Sequence, residues 1–284
     1  MTTKNVEAFC RALWRHEEKT IAALVGRIDP NAQDRWGHTP LLMAAQYGDL
    51  PLVSLLVRRG AKVDQQSNHL TPVTLAARRN ASDIVRFFRD KGATESIVTW
   101  LYLGDQKRVK QELARDPTQA RLRDEEETPI LHHAVEALQP KLVVLLLDHG
   151  AKVSDVDPNG ETPLHRCADI RQAPQEPAAN MANLLLDRGA DPNARNWDDV
   201  TPLHQAVRAR NLALVEVLLE RGADPNARDK IRGSTPLRRA VSGTGAGGTA
   251  GTTDLMAPLT RMLLKYGADP DARDKRGVPV HASA

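Results

Sequence analysis

Nine histidines and two cysteines are the residues of this 284-residue chain best suited to metal binding or proton transfer. His132 and His133 are adjacent, and zinc could use them if a cysteine or aspartate stood at ligand spacing. None does, and consecutive helical residues do not share a face. His165, His204 and His281 each occupy the fourth place of a short string, as in Thr162-Pro163-Leu164-His165, and His132 reaches the same place with a one-residue slip. An imidazole repeated in one local frame is expected to bond to its own turn and brace the next unit. Cys10 and Cys167 lie far apart, so no disulfide framework is expected and a reducing compartment is favoured. The chain has no Gly-x-Ser-x-Gly, His-Glu-x-x-His or Cys-x-x-Cys string, so no catalytic residues, metal or cofactor are expected.

Acidic and glycine-rich stretches also read as structure. Asp29-Pro30-Asn31 and its relatives at Asp191, Asp224 and Asp269 are turn formers, and calcium would require more carboxylates in one loop. The run Asp124 to Glu127 reads as a solvated loop. The Gly/Thr/Ala stretch within Ser242–Asp254 lacks the Lys-Ser/Thr ending of a phosphate-binding loop and reads as a disordered insertion. A net charge of +3, with both signs interspersed, falls short of a nucleic-acid footprint. The residues Arg58, Arg59, Arg78, Arg79 and Arg86 still motivate an alternative, a binder of nucleic acid or another anion through Arg-rich helix surfaces. No aromatic stacking platform accompanies them.

These residues must be positioned by a repeated frame. Thr-Pro pairs begin at Thr39, Thr71, Thr128, Thr162, Thr201 and Thr235, and each is followed by a Leu/Val-rich stretch ending in Gly-Ala. The Gly-Ala pairs begin at Gly60, Gly92, Gly150, Gly189, Gly222 and Gly267. A period of about 33 residues indicates stacked repeats rather than one globular core. In the copy from Thr39, the threonine is an N-cap and Pro40 sits at the first helical position, where its missing donor costs nothing. Leu41, Leu42, Ala44 and Ala45 form a short helix. Gly48-Asp49 starts a second helix with Val53 and Leu56 on one face, and Gly60 stops it. A hydrophobic content of 41% with only 4% aromatic fits a core of Ala, Leu and Val.

The Thr-Pro-Leu-His start, the Gly-Ala-Asp-Pro-Asn-Ala step and the period resemble ankyrin repeats over residues 5–281. The resemblance implies an all-α solenoid of helix–turn–helix units with short β-hairpin-like fingers. It also implies a concave face made by the fingers and first helices, and protein binding without catalysis. Counting along the frame gives one solenoid, 1–284, of about eight units. The units are an N-terminal cap at 5–38, repeats at 39–70 and 71–94, the latter lacking its finger, and a degenerate repeat at 95–127. Then follow 128–161, 162–200 with an inter-helix insertion around Arg171–Pro177, 201–234, 235–277 with the Gly-rich insertion, and a partial unit at 278–284. The missing finger is expected to split the concave face at 94/95, with the next helix starting near Glu95.

Binding residues are sought where the frame dictates nothing. Trp36 and Trp197 fall at fingertips, while Gln46, Tyr47, Arg78, Arg79, Tyr102, Glu136, Arg166 and Arg208 fall on the inner helices. Trp14 and Trp100 read as core or cap residues, and Phe87 and Phe88 as core. The N-terminus lacks the apolar stretch of a signal peptide, and no run approaches the ~18 apolar residues of a membrane span. The expectation is a cytoplasmic monomer that serves as a scaffold for a protein partner, with neither membrane nor nucleic acid among its ligands.

Overall fold

The structure, a computed structural model, describes residues 3–66, 70–169, 175–241 and 256–279. The polar stretch Ser67–His69, the Gly-rich insertion at Ser242–Asp254, and Val280 and His281 lie outside these residues. Sixteen α-helices among the described residues are arranged as eight pairs, in two compact units divided at Asp116/Pro117.

The first unit contains α1 (Thr3–Trp14) with α2 (Glu18–Val25), α3 (Pro40–Tyr47) with α4 (Leu50–Arg58), α5 (Pro72–Arg78) with α6 (Ser82–Asp90), and α7 (Ile97–Leu103) with α8 (Gln106–Arg115). The second opens with a 3₁₀ turn at Pro117–Arg121. It continues with α9 (Ile130–Glu136) and α10 (Pro140–Asp148), α11 (Pro163–Ala168) and α12 (Gln175–Asp187), α13 (Pro202–Arg208) and α14 (Leu212–Glu220), and α15 (Pro236–Val241) and α16 (Met256–Lys265). In each unit the first helices of successive pairs pack in order, α1 to α7 and α9 to α15. Each repeat therefore completes its neighbour's core.

The repeat frame explains the local structure. Thr39 Oγ1 accepts from Leu42 N–H at 3.2 Å, and Thr71, Thr162, Thr201 and Thr235 cap their helices in the same way. Thr128 departs from this: α9 begins one residue late, after Pro129, with no side-chain cap. The small first-helix residues Ala44 and Ala45 are fully buried, as are Val53 and Leu56 from the facing helix. Gly60 ends the α4 region with φ +91°, a conformation costly for any residue with a Cβ.

The Asp-Pro-Asn steps do more than turn the chain. Asp29 Oδ1 accepts from Asn31 N–H, and the Asn31 amide then clasps the next repeat. Its Nδ2 donates to Gly60 O at 2.8 Å and its Oδ1 accepts from Lys62 N–H at 2.8 Å. Asn193 clasps Gly222 and Asp224, and Asn226 clasps Gly267 and Asp269, with the same pairing. The second helices carry a further ladder. Arg221 pairs with Asp187 at 2.7 Å, Arg188 pairs with Asp148 at 3.2 Å, and Arg59 donates to the terminal carbonyls of α2, Val25 O and Gly26 O.

The structure refines several expectations. The break in compactness falls at Asp116/Pro117, and the helix pair after the missing finger stays with the first unit: α7 packs on α5, and Thr74 Oγ1 meets Thr99 Oγ1 at 2.7 Å. The N-cap of α7 is Ser96 rather than Glu95, one residue later than counted, because α7 is one residue shorter than α3. The last three residues of the insertion Arg171–Pro177, Gln175 to Pro177, belong to α12, which they lengthen to 13 residues. Phe87 is only half-buried, edge-on to the fully buried Phe88. Of the two readings of Trp14, core or cap, the cap holds: it lies in the terminal pair and is 68% exposed.

No finger separates Gly92 from α7. The chain runs through Thr94, whose N–H donates to Asp64 Oδ1 at 2.8 Å, directly into the cap at Ser96. Glu95 takes up the space as an anchor. Its carboxylate accepts from Arg89 Nε at 2.5 Å, from Trp100 Nε1 at 3.0 Å and from Arg108. Burial alone would raise the Glu95 pKa, but the Arg89 and Trp100 hydrogen bonds and both guanidinium charges outweigh it and hold the carboxyl below its usual range. Glu95→Ala would leave the half-buried Trp100 Nε1–H without its acceptor and remove the carboxylate that joins Arg89 to Arg108, and should destabilise the first unit by roughly 1–2 kcal/mol in urea unfolding. An unchanged midpoint would contradict this role.

Candidate functional site

Three of the histidines, His132, His165 and His204, reach across to the next repeat. His165 Nδ1 accepts from Thr162 N–H at 3.2 Å, and its Nε2 lies 2.9 Å from Val200 O, a carbonyl of the next repeat. His204 repeats this with Thr201 N–H at 3.2 Å and Ser234 O at 3.0 Å. A carbonyl only accepts, so Nε2 carries the proton and Nδ1 is bare: the neutral ring in a fixed tautomer. His132 Nε2 likewise reaches Glu161 O at 2.8 Å, but its buried Nδ1 accepts from no donor, because the N-cap of α9 is Pro129, which has no N–H. Burial pushes the pKa of His132 and of His204 down to about 4, and lowers that of His165. These groups brace repeats rather than carry protons in a reaction.

Linkage gives a testable pH dependence. A histidine whose pKa falls on folding contributes stability above its unfolded value, near 6.5, and loses it as the unfolded chain takes up protons below that value. Stability of the second unit should therefore decline as pH falls from about 6.5 to about 4. The loss should approach roughly 3 kcal/mol for each of His132 and His204. His204→Gln should flatten the slope in pH-resolved urea melts, and an equally steep slope would count against it.

The fingers are closed by side chains. Asp34, Asp124, Asp157 and Asp274 each accept two tip N–H groups on Oδ1, at 2.8–2.9 Å. Asp229 does so across a tip one residue longer. The second oxygen faces a basic group: His38 at 3.2 Å, His133 at 2.8 Å, Arg166 at 3.0 Å, Arg238 at 3.1 Å and Arg239 at 2.9 Å. Among the described residues, Asn196 closes one further tip, at the repeat whose inner helix offers Gln205 rather than a cation. A carboxylate there would lack the charge partner its counterparts have. At Asp229, burial would raise the pKa, but the Arg239 hydrogen bond and two backbone N–H donors hold it below the usual range.

The inner-helix candidates are largely occupied. Arg166 is held by Asp157, and Arg208 by Asp169 at 2.6 Å. Tyr47 is half-buried, edge-on to His16 with ring centroids 5.3 Å apart. Arg78 is exposed on α5 and Arg79 follows its last turn, while Tyr102 and Glu136 are half-buried on α7 and α9. The fingertip tryptophans differ from these. Trp36 is 51% exposed, with the Arg35 guanidinium 4.0 Å from its ring centroid. Trp197 is 61% exposed yet lies against the neighbouring tip. Its Nε1–H donates to Pro158 O at 2.9 Å, its N–H donates to Asn159 O at 3.1 Å, and a Cβ added to Gly160 would sit 2.6 Å from its ring.

Sequence reasoning passed over Ile231, 67% exposed at the next tip. An aliphatic residue between two cations in a turn was the available signal. Among the described residues, no three His, Cys, Asp or Glu side chains gather as a metal site, and no helix is long and apolar enough to cross a membrane. Cys10 and Cys167 are buried free thiols, each pushed up to about 12 by burial.

Residues 9–99 and 94–196 each match the family described as ankyrin repeats (3 copies), and residues 185–240 match ankyrin repeats (many copies). The chain belongs to the ankyrin-repeat family. The array is similar to human SH3 and multiple ankyrin repeat domains protein 2, 28% identical over 70% of this chain and 11% of that protein. It is also similar to mouse NF-kappa-B inhibitor delta, 29% identical over 62% of this chain and 54% of the relative, and to mouse inversin, 27% identical over 65% and 18%. The ankyrin array thus spans between about a tenth and about half the length of these relatives.

Gly160 tests how tightly adjacent fingertips fit. Its φ is +76°, so Gly160→Ala should cost about 1–2 kcal/mol from backbone alone and more from the clash with Trp197. In the Trp197→Ala background the clash component should vanish. Additive effects in that double-mutant cycle would contradict the packing described.

Proposed function

We propose that this ankyrin array is a non-catalytic scaffold that captures a protein partner through its fingertips and the adjoining inner-helix faces. One observation carries the reading. Of the six large apolar side chains left exposed among the described residues, three (Trp36, Trp197 and Ile231) stand at fingertips whose turns are fixed by side-chain hydrogen bonds. Aromatic anchors dominate interface energetics, and anchors that are already ordered lose little entropy on binding. The groups that could do chemistry are engaged elsewhere: the brace histidines bond the next repeat, and both thiols are buried. Tyr47, Arg78, Arg79, Tyr102, Glu136, Arg166 and Arg208 would line the approach to the tips, the two pinned arginines acting as fixed charges. The reading extends to a monomer in the cytoplasm, where buried free thiols are at home. The name of the mouse inhibitor relative, which points to a protein target, fits the same reading.

Affinity capture on the immobilised chain tests it. Trp36→Ala and Trp197→Ala, made separately, should each reduce recovery of the bound protein by about tenfold or more, as expected for interface anchors. Trp36→Ala should leave the thermal melt nearly unchanged. Undiminished capture by both variants would move the binding surface off the fingertips.

A further inference from the structure

We propose that the last fingertips of the second unit form one docking edge for an acidic protein segment bearing an aliphatic or aromatic anchor. This rests on the partner-binding reading above and specifies the chemistry of the partner.

The tips are contiguous. Lys230 N–H donates to Asp198 O at 2.8 Å, and Lys275 N–H donates to Arg232 O at 2.9 Å. Lys275 Nζ also reaches Lys230 O. The second and third tips approach so closely that a Cβ on Gly233 would meet Lys275 Cγ at 3.1 Å. Residues 197–199, 230–233 and 275–277 therefore present a single rim.

That rim has an apolar centre and a basic side. Trp197 and Ile231 are 61% and 67% exposed on neighbouring tips. Trp197 is already fixed against Gly160, and Ile231 is an aliphatic side chain left in water. Lys230, Arg232, Lys275 and Arg276 are all exposed on the tip that carries Ile231 and on the tip bonded to it. The carboxylates of the same two tips do not neutralise them from outside. Asp229 is tied to Arg239 and Asp274 to Arg238, both at the finger base with side chains about 5% exposed. The surplus positive charge at the rim calls for carboxylates, and the apolar pair calls for a hydrophobic side chain between them.

A nucleic acid fits less well. The neighbouring tip covers one face of the indole and leaves a base only the other to stack on, while Asp198 and Asp199 beside Trp197 direct the carboxylates of the partner to the basic tips at 230–233 and 275–277. A second copy of the chain could offer its own acidic tip, Glu125 to Glu127, which makes self-association an outcome to be tested.

Selection of a random-peptide display library on the full chain at low salt tests the edge. The enriched peptides should be rich in Asp and Glu around an aliphatic or aromatic residue. Their affinity should fall by about tenfold or more in Ile231→Asp and several-fold in Lys230→Ala with Arg232→Ala, with the thermal melt unchanged. It should also weaken as salt rises. Neutral or basic consensus peptides, or no enrichment, would overturn the proposal. Acidic peptides that bind Ile231→Asp undiminished would overturn the edge while leaving a partner-binding array in place. Two further results would reassign the edge: oligothymidylate binding lost in Ile231→Asp, or dimerisation in sedimentation abolished by that substitution.

Discussion

A buried neutral imidazole that accepts from its own repeat and donates to the next is the contact on which stacking in the second unit depends. At His165 and His204 the threonine N–H occupies Nδ1, so the Nε2 proton must go to a carbonyl about 35 and 30 residues further along the chain. A single repeat cannot satisfy that donor. Neither can it satisfy Asn193, whose amide needs Gly222 O and Asp224 N–H of the following unit. Polar groups buried without partners cost free energy, so each repeat is stable only against its neighbour. Stacking here is as much a matter of hydrogen-bond completion as of apolar burial.

The same economy shapes the fingers. A turn closed by one carboxylate oxygen leaves the other oxygen at the finger base, where it needs a cation. The inner helix supplies Arg166, Arg239 or His133, and where it supplies Gln205 the turn is closed by Asn196. Charges drawn into these pairs are withdrawn from solvent, and charges at the tips are not. The pattern separates Asp229 and Asp274, held by arginines, from Lys230, Arg232, Lys275 and Arg276, which face water.

Much of the fold was legible because the frame repeats its own chemistry: Thr at the N-cap, Pro at the first turn, Gly at the stop, Leu and Val at helical spacing. The histidine brace was legible for the same reason. What escaped the sequence involved contacts between repeats at distances that no local pattern encodes. Arg166 and Arg208 look free along the chain, but their partners Asp157 and Asp169 come from a finger and from the preceding repeat. Trp197 was recognisable as a fingertip residue, yet its seat on Gly160 depends on the neighbouring finger. Glu95 was placed one residue too early as a helix start, since its role as the hub for Arg89, Trp100 and Arg108 leaves no linear signature. Ile231 was missed because a lone aliphatic residue in a turn has no periodicity to reveal it.

A frame that completes its polar groups between neighbouring repeats must hold its brace histidines, His165 and His204, in one tautomer. Long-range proton–nitrogen NMR spectra of the imidazoles, recorded from neutral pH down towards pH 4, measure it directly. The account predicts that His165 and His204 stay as neutral Nε2–H tautomers through the range where an exposed histidine titrates, near 6.5, with His204 protonating only around pH 4. Titration of either ring near pH 6.5, or a proton on Nδ1 at neutral pH, would contradict it.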